Sequence, residues 1–208
     1  KPTTGRIPCT GNALPNSGVI AALTQPGPMA KSVDDLIYLL EIMAGPDNID
    51  PRAAPCPLLD PYAVNVAELK IGYHTDNGIK TPDDAIVSTI KSVVDLLKDH
   101  KIMISEVRPS GIEMADLIFG HLMAADNNDM IKTLLEDSQT ITPSPVITRL
   151  LEGAGEPISG PEYSQVINLW HNFQSSMLSY FDEFDLLVSP VNAHTALAHD
   201  QQEDFSAY

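Results

Sequence analysis

The side chains with the most chemistry to offer stand in a few places. His194 and the pair His199-Asp200 lie close together late in the sequence, where imidazoles beside a carboxylate suggest a metal. A zinc site needs three or four ligands in fixed geometry, however, and no cysteine is near, so these read as solvated loop histidines and no metal or cofactor is expected. Cys9 and Cys56 sit in proline-rich loops. Two cysteines make no disulfide framework, which points to a reducing compartment, the cytoplasm by default. The run from Asp126 to Asp129 reads as a solvated acidic face. Trp170, the sole tryptophan, has Val166, Ile167, Leu169 and Phe173 on adjacent helical turns, a pattern that suits a core residue.

Bulk composition narrows the partners. Lys and Arg total 12 against 28 Asp and Glu, a net charge of -16, which repels phosphate backbones and anionic lipid surfaces. Nucleic acid is therefore not expected as a direct partner. No apolar run reaches spanning length, since Glu41 interrupts the best candidate, and no charged-then-apolar leader opens the sequence. With 208 residues, 43% of them hydrophobic, the chain can bury one substantial core or most of a larger one. Neither "KPTTGRIPCTG" at the start nor "EDFSAY" at the finish reads as a natural end.

The elements that must position these residues follow from local signals. In "TQPGPMAKSVDDLIYLLEIMAGPD" two prolines flank Gly27, so the stretch cannot donate a regular ladder and must be a shaped turn. Ser32 with Asp35 makes a capping-box pattern, Leu36, Leu39, Leu40 and Met43 recur at helical spacing, and Gly45-Pro46 supplies the stop, predicting a helix over 33–44. A proline-rich extended connection follows over 46–67. "LKIGYHTD" predicts a strand with Ile71 and Tyr73 alternating against polar neighbours. Thr81-Pro82-Asp83-Asp84 then opens a helix with a cap and an acidic first turn, its buried stripe being Ile86, Ile90, Val93, Val94 and Leu97. "KIMISEVRPS" is a second strand, and the order strand, helix, strand favours parallel pairing. Residues 112–135 read as mostly helical up to a break at "TPSP". Ser159 to Glu162 is a further capping box that launches a long helix towards Phe181, and "FDLLVSPV" is a buried strand. This is α/β material, a sheet flanked by helices.

The runs "KPTTGRIP", "GPMAKSVDDLIYLLEIMAG", Asp50-Pro51, "LKIGY" and "FDLLVSPV" resemble, in that order and over nearly the whole chain, successive landmarks of the amidase signature family. The resemblance implies part of that family's mixed sheet core, over residues 1–208 and incomplete at both ends. It also implies a hydrolase that cleaves carboxamide C–N bonds through a serine nucleophile, a second serine in a cis peptide and a lysine base. A serine needs a base to take its proton, and a lysine serves only when desolvation lowers its pKa. In the family those residues precede the "KPT" landmark, so the catalytic segment is expected upstream of Lys1, no catalytic residue is assigned here, and this stretch alone should be inactive. Ser17 in "PNSGV" lacks the glycines that let backbone amides reach an oxyanion. Lys31 lies on the wrong side of the nucleophile to be the base and reads as an outward charge or loop anchor.

Substrate recognition is implied for the variable half, which is the half present. In glutamyl-tRNA amidotransferase, an arginine of the corresponding chain grips the substrate's carboxylate; matched without gaps back from Asp185, its position here holds Trp170. A tryptophan cannot pair with a carboxylate, so a small or apolar amide is the expected substrate, with Trp170 as an apolar wall. By the same resemblance His121 and Asn127 border the pocket. The expected partners are the amide and the remaining half of the domain, with homo-oligomers left open. Two alternatives stand: a non-catalytic, amidase-derived module that binds a ligand or partner, and a chain like the amidase component of glutamyl-tRNA amidotransferase.

Overall fold

A computed structural model describes residues 1–12, 18–152 and 157–196. They form two compact units, one built from Lys1–Val64 and Leu122–Pro143, the other from Asn65–His121, Ser144–Glu152 and the described residues from Ile158 on. Ser17 and His199-Asp200 lie outside the described residues.

In the first unit α1 spans Gly18–Leu23, α2 Val33–Met43 and α5 Asp129–Asp137. Ser32 caps α2 by accepting from the Asp35 amide at 3.2 Å, one arm of the predicted capping box; the return bond from the Ser32 amide to the Asp35 carboxylate is not made. The apolar stripe is less buried than its spacing suggests: Leu36, Leu39 and Leu40 are half-buried, Met43 is exposed, and no residue of α2 is fully enclosed. The proline-glycine turn before it carries no ladder. Gln25 substitutes for one, its carbonyl accepting from the Gly5 amide at 2.8 Å and its amide donating to the Ile7 carbonyl at 2.9 Å. Gly5 is obligatory in that arrangement, with φ +86° and a site for a Cβ only 2.7 Å from the Arg52 carbonyl oxygen. Ile7, Cys9 and Ala21 are buried in this unit, and so is the carboxylate of Asp50. That carboxylate accepts from the Cys9 amide (2.8 Å), the Arg52 amide (2.9 Å) and the Arg52 guanidinium (3.1 Å twice), while Arg52 Nη1 donates to the Ala21 carbonyl. Cys9 is buried, Cys56 exposed, and both are free thiols.

The second unit is built on a parallel three-stranded sheet, β1 Lys70–Tyr73, β2 Met103–Glu106 and β3 Leu186–Val188, in the order β2-β1-β3. Its register pairs Ile71 with Ile104 on one side and with Leu186 on the other. The predicted alternation of β1 gives way to burial of both Ile71 and Gly72, because a central parallel strand is covered on both faces. The strand predicted as buried, β3, is an edge of this sheet, with Leu186 exposed. Helix α3, Asp84–Asp99, joins β1 to β2 and buries Ile90 and Val94 of its predicted stripe; Ile86 and Leu97 are half-buried and Val93 is exposed. Helix α7, Gly160–Phe181, opens with the full reciprocal capping box of Ser159 and Glu162. Its Tyr180 stacks on Phe184 at 4.9 Å and lies so close over Gly72 that a Cβ there would collide with the hydroxyl.

Three stretches differ from their predictions. The long helical region resolves into a 3-10 turn over Ile112–Met114, then α4, Ala115–Ala124, and α5, because Asn127 and Asn128 adopt left-handed φ of 53° and 57° between the two helices. Residue 128 is buried, so the acidic run is not wholly a solvated face. The "TPSP" break is followed at once by a short helix, α6, Pro145–Glu152. The 46–67 connection carries 3-10 turns over Pro61–Ala63 and Val66–Glu68. Among the described residues no helix is long and apolar enough to cross a membrane.

Candidate functional site

In an open parallel sheet, ligands bind in the crevice outside the carboxyl ends of the strands, where consecutive loops diverge. Two such loops meet here. The one leaving β1 brings Asn77, Ile79, Lys80 and Pro82; the one leaving β3 brings Pro190 to Ala193; and Ala115, Asp116 and Phe119 of α4 close the third side of a cavity of about 560 Å³. Its larger apolar side chains are Ile79, Phe119 and Val191, and Asn77, Lys80, Asp116 and Asn192 supply the polar groups. The size falls within the range of small-molecule sites, which pair apolar walls with few polar groups.

The two loops are fastened to each other by Asp83. Its sequence position suggests a helix cap, and it does occupy the N-cap of α3, yet its carboxylate makes no capping bond. One oxygen lies 3.0 Å from Nδ1 of His194, the other accepts from the Thr195 amide at 3.4 Å, and the Asp83 amide donates to the Ala193 carbonyl at 2.8 Å. The bond from His194, then the one from Thr195, hold the Asp83 carboxyl below the ordinary carboxylate range. The half-buried His194 is thus a clamp on the rim of the cavity, not a solvated loop residue.

His74, the first residue past β1, is a group that sequence reasoning missed. Its amide donates to the Val188 carbonyl and so extends the sheet, and the residue is 5% exposed, with its ring enclosed near the Asp76 backbone. Burial, and then the positive charge of Arg108, push its pKa down and keep the ring neutral at physiological pH. A histidine after an alternating strand carries no signal that separates it from a loop residue.

The residues implied by resemblance are placed as follows. Trp170 is half-buried on α7, with its ring 6.2 Å from that of His171, and His121 is exposed with Nδ1 2.7 Å from the Leu117 carbonyl one turn back. Both belong to the unit that holds the cavity and neither lines it. Asn127 belongs to the other unit, half-buried, with its side-chain oxygen enclosed and unbonded. Lys31 is exposed, as expected of an outward charge. The residues that do line the cavity fall on three separated segments, and Pro190 and Val191 are the part of the family landmark "SPV" that reaches it.

Known proteins resemble the chain in sequence and in fold. It is 25% identical over 195 residues to an amidase of Pseudomonas putida, covering 91% of this chain and 40% of that protein. It is 31% identical over 147 residues to an indoleacetamide hydrolase of Bradyrhizobium diazoefficiens, 66% of this chain and 27% of that one. Over a shorter 103 residues it is 32% identical to the A chain component of the glutamyl-tRNA(Gln) amidotransferase of Akkermansia muciniphila, 46% of this chain and 21% of that component. In fold it resembles 6-aminohexanoate cyclic dimer hydrolase, with a TM-score of 0.73 at 18% identity over 100% of this chain and 46% of that one. The chain therefore spans well under half the length of the curated relatives it matches. The Amidase family model matches residues 1–208 without remainder, and the chain belongs to the amidase family.

Proposed function

We propose that this chain carries the substrate-binding part of an enzyme that hydrolyses the C–N bond of a small, apolar carboxamide in the cytoplasm, with the serine, cis-serine and lysine supplied by sequence N-terminal to Lys1. The observation that carries the reading is the cavity outside β1 and β3: Ile79, Phe119 and Val191 favour an apolar acyl or amine group, while Asn77 offers an amide that can bond a carboxamide. The likeness to an indoleacetamide hydrolase, whose named substrate is an aromatic acetamide, supports the same class. Free Cys9 and Cys56 suit a reducing compartment.

The amidotransferase alternative asks for a cationic grip on a substrate carboxylate. Trp170, at the position the resemblance implies, does not supply one, and a net charge of -16 does not suit direct contact with tRNA. Lys80 is the cation that the cavity wall itself offers, and the glutamine arm of the test below decides whether it serves as that grip. The test is ammonia release by the full-length protein from acetamide, benzamide, indoleacetamide and glutamine. Turnover of the apolar amides is expected, with KM for the aromatic ones raised about tenfold or more in Phe119→Ala, the loss of one large apolar contact. Turnover of glutamine alone would favour the amidotransferase reading, and no turnover, with no serine-glycine strand upstream of Lys1, the non-catalytic module.

A further inference from the structure

The wall of the cavity contains an asparagine followed by a glycine, Asn77-Gly78, and the atoms around it are arranged for a reaction within the chain itself. The Gly78 amide nitrogen donates to Asp76 Oδ1 at 2.6 Å. The Ile79 amide donates to Asn77 Oδ1 at 3.0 Å. Asn77 is half-buried and Gly78 exposed, and Gly78, at φ +79°, carries no Cβ, the Arg108 guanidinium standing 2.9 Å from where one would be. We propose that Asn77 is a site of self-catalysed deamidation, in which the loop converts its own cavity-lining amide to a carboxylate.

The chemistry balances with water alone. Asp76 Oδ1 takes the proton of the Gly78 N–H as that nitrogen attacks Asn77 Cγ; the new N–Cγ bond closes a five-membered imide. The oxygen that gains negative charge in the tetrahedral intermediate is Oδ1, which the Ile79 amide already holds, the arrangement that stabilises an oxyanion. The proton is passed to Nδ2, the Cγ–Nδ2 bond breaks, and ammonia leaves. Water then opens the imide at either carbonyl, leaving aspartate or isoaspartate at position 77. No oxidant, metal or partner is required. An Asx turn pre-organises the encounter, and the general base is within hydrogen-bond reach of the proton it removes. The product places a negative charge on a wall that already holds Asp116, and the isoaspartate form also lengthens the backbone there by one carbon.

The experiment is incubation of the intact protein at neutral pH and physiological temperature, native and urea-denatured in parallel. Peptide mass spectrometry follows the replacement of the amide nitrogen by oxygen at position 77, and an isoaspartate-specific assay counts the rearranged product. Conversion is expected faster in the native protein than in the denatured chain. In Asp76→Asn the native rate is expected to fall about tenfold or more while the denatured rate stays unchanged, since a positioned base acts only when positioned. Asn77→Gln should abolish isoaspartate in that peptide. A native rate equal to or below the denatured rate, or a native rate indifferent to Asp76→Asn, overturns the proposal. Because the readout is mass, its failure is independent of whether the protein hydrolyses amides.

Discussion

Asp50 is the most heavily bonded side chain among the described residues of the first unit, and replacing it by asparagine tests whether that bonding holds the opening segment in place. Each carboxylate oxygen takes two donors: the Cys9 amide and one guanidinium nitrogen on Oδ2, the Arg52 amide and Nε on Oδ1. Asparagine keeps the shape but turns one oxygen into an NH2 that faces donors, so two bonds to a charged acceptor are lost and one buried amide is left without a partner. At about 1.5–3 kcal/mol for each bond to a charged group, less what Arg52 recovers by hydration through its 22% exposed side chain, the loss is about 3 kcal/mol. The same bonds, with the guanidinium of Arg52 first among them, hold the Asp50 carboxyl far below its ordinary value of 3.8. A depressed folded pKa contributes stability that is fully present above the unfolded value and drains away as pH falls below it towards the folded value. The gap between the native protein and Asp50→Asn should therefore be full at about pH 7, begin to close below about pH 5, and continue to shrink with further acid. Urea denaturation followed by circular dichroism at several pH values measures it. A gap below about 0.5 kcal/mol at neutral pH, the level of an ordinary surface change, or one that does not vary with acid, would refute the assignment.

Three further outcomes follow from the same geometry. Gly5→Ala should cost about 2 kcal/mol or more in urea denaturation, because a Cβ at φ +86° is strained and would meet a backbone carbonyl at 2.7 Å that cannot swing aside. His74→Leu should be insensitive to an acid loss that the natural protein shows: the folded pKa is depressed, so the unfolded chain takes up a proton as pH falls below about 6.5 and draws the equilibrium towards itself, by at most about 1.4 kcal/mol per pH unit; parallel stability curves above and below that pH would contradict it. Asp83→Ala should raise KM for an amide about two- to fivefold with little change in kcat, since it frees the rim loop without touching the reacting atoms; an equal fall in kcat at unchanged KM would place Asp83 elsewhere in the mechanism.

How much of this was legible in the sequence varies with the range over which each residue is decided. Ser159 to Glu162 announces its helix because a capping box is closed within one turn, and the parallel pairing of β1 with β2 follows from the helix between them. Asp83 looks the same to a local reading whether it caps α3 or reaches across the fold, since proline before it and aspartate after it satisfy the pattern either way. What decides is His194, 111 residues later. Leu186 reads as buried because its strand is apolar, and is exposed because β3 lies at the edge of this sheet, a property of the order of strands. The break between α4 and α5 falls where two asparagines tolerate a left-handed backbone, within a window whose apolar spacing looks unbroken.

The candidate site is the extreme case of this dependence on topology. Residues 77–82 and 115–119 read as an ordinary loop and helix, and Pro190 and Val191 read as the end of the strand "FDLLVSPV", which stops instead at Val188; none of these signals marks a pocket. They become one site because β1 and β3 are neighbours running in the same direction, so that their outgoing loops emerge at the same end of the sheet. A gapless count along one helix singles out Trp170; it preserves the turn of that helix but carries no information about which loops face it. Sequence likeness thus locates the family, through landmarks that build the sheet, while the residues that line the cavity have to be read from where the strands end.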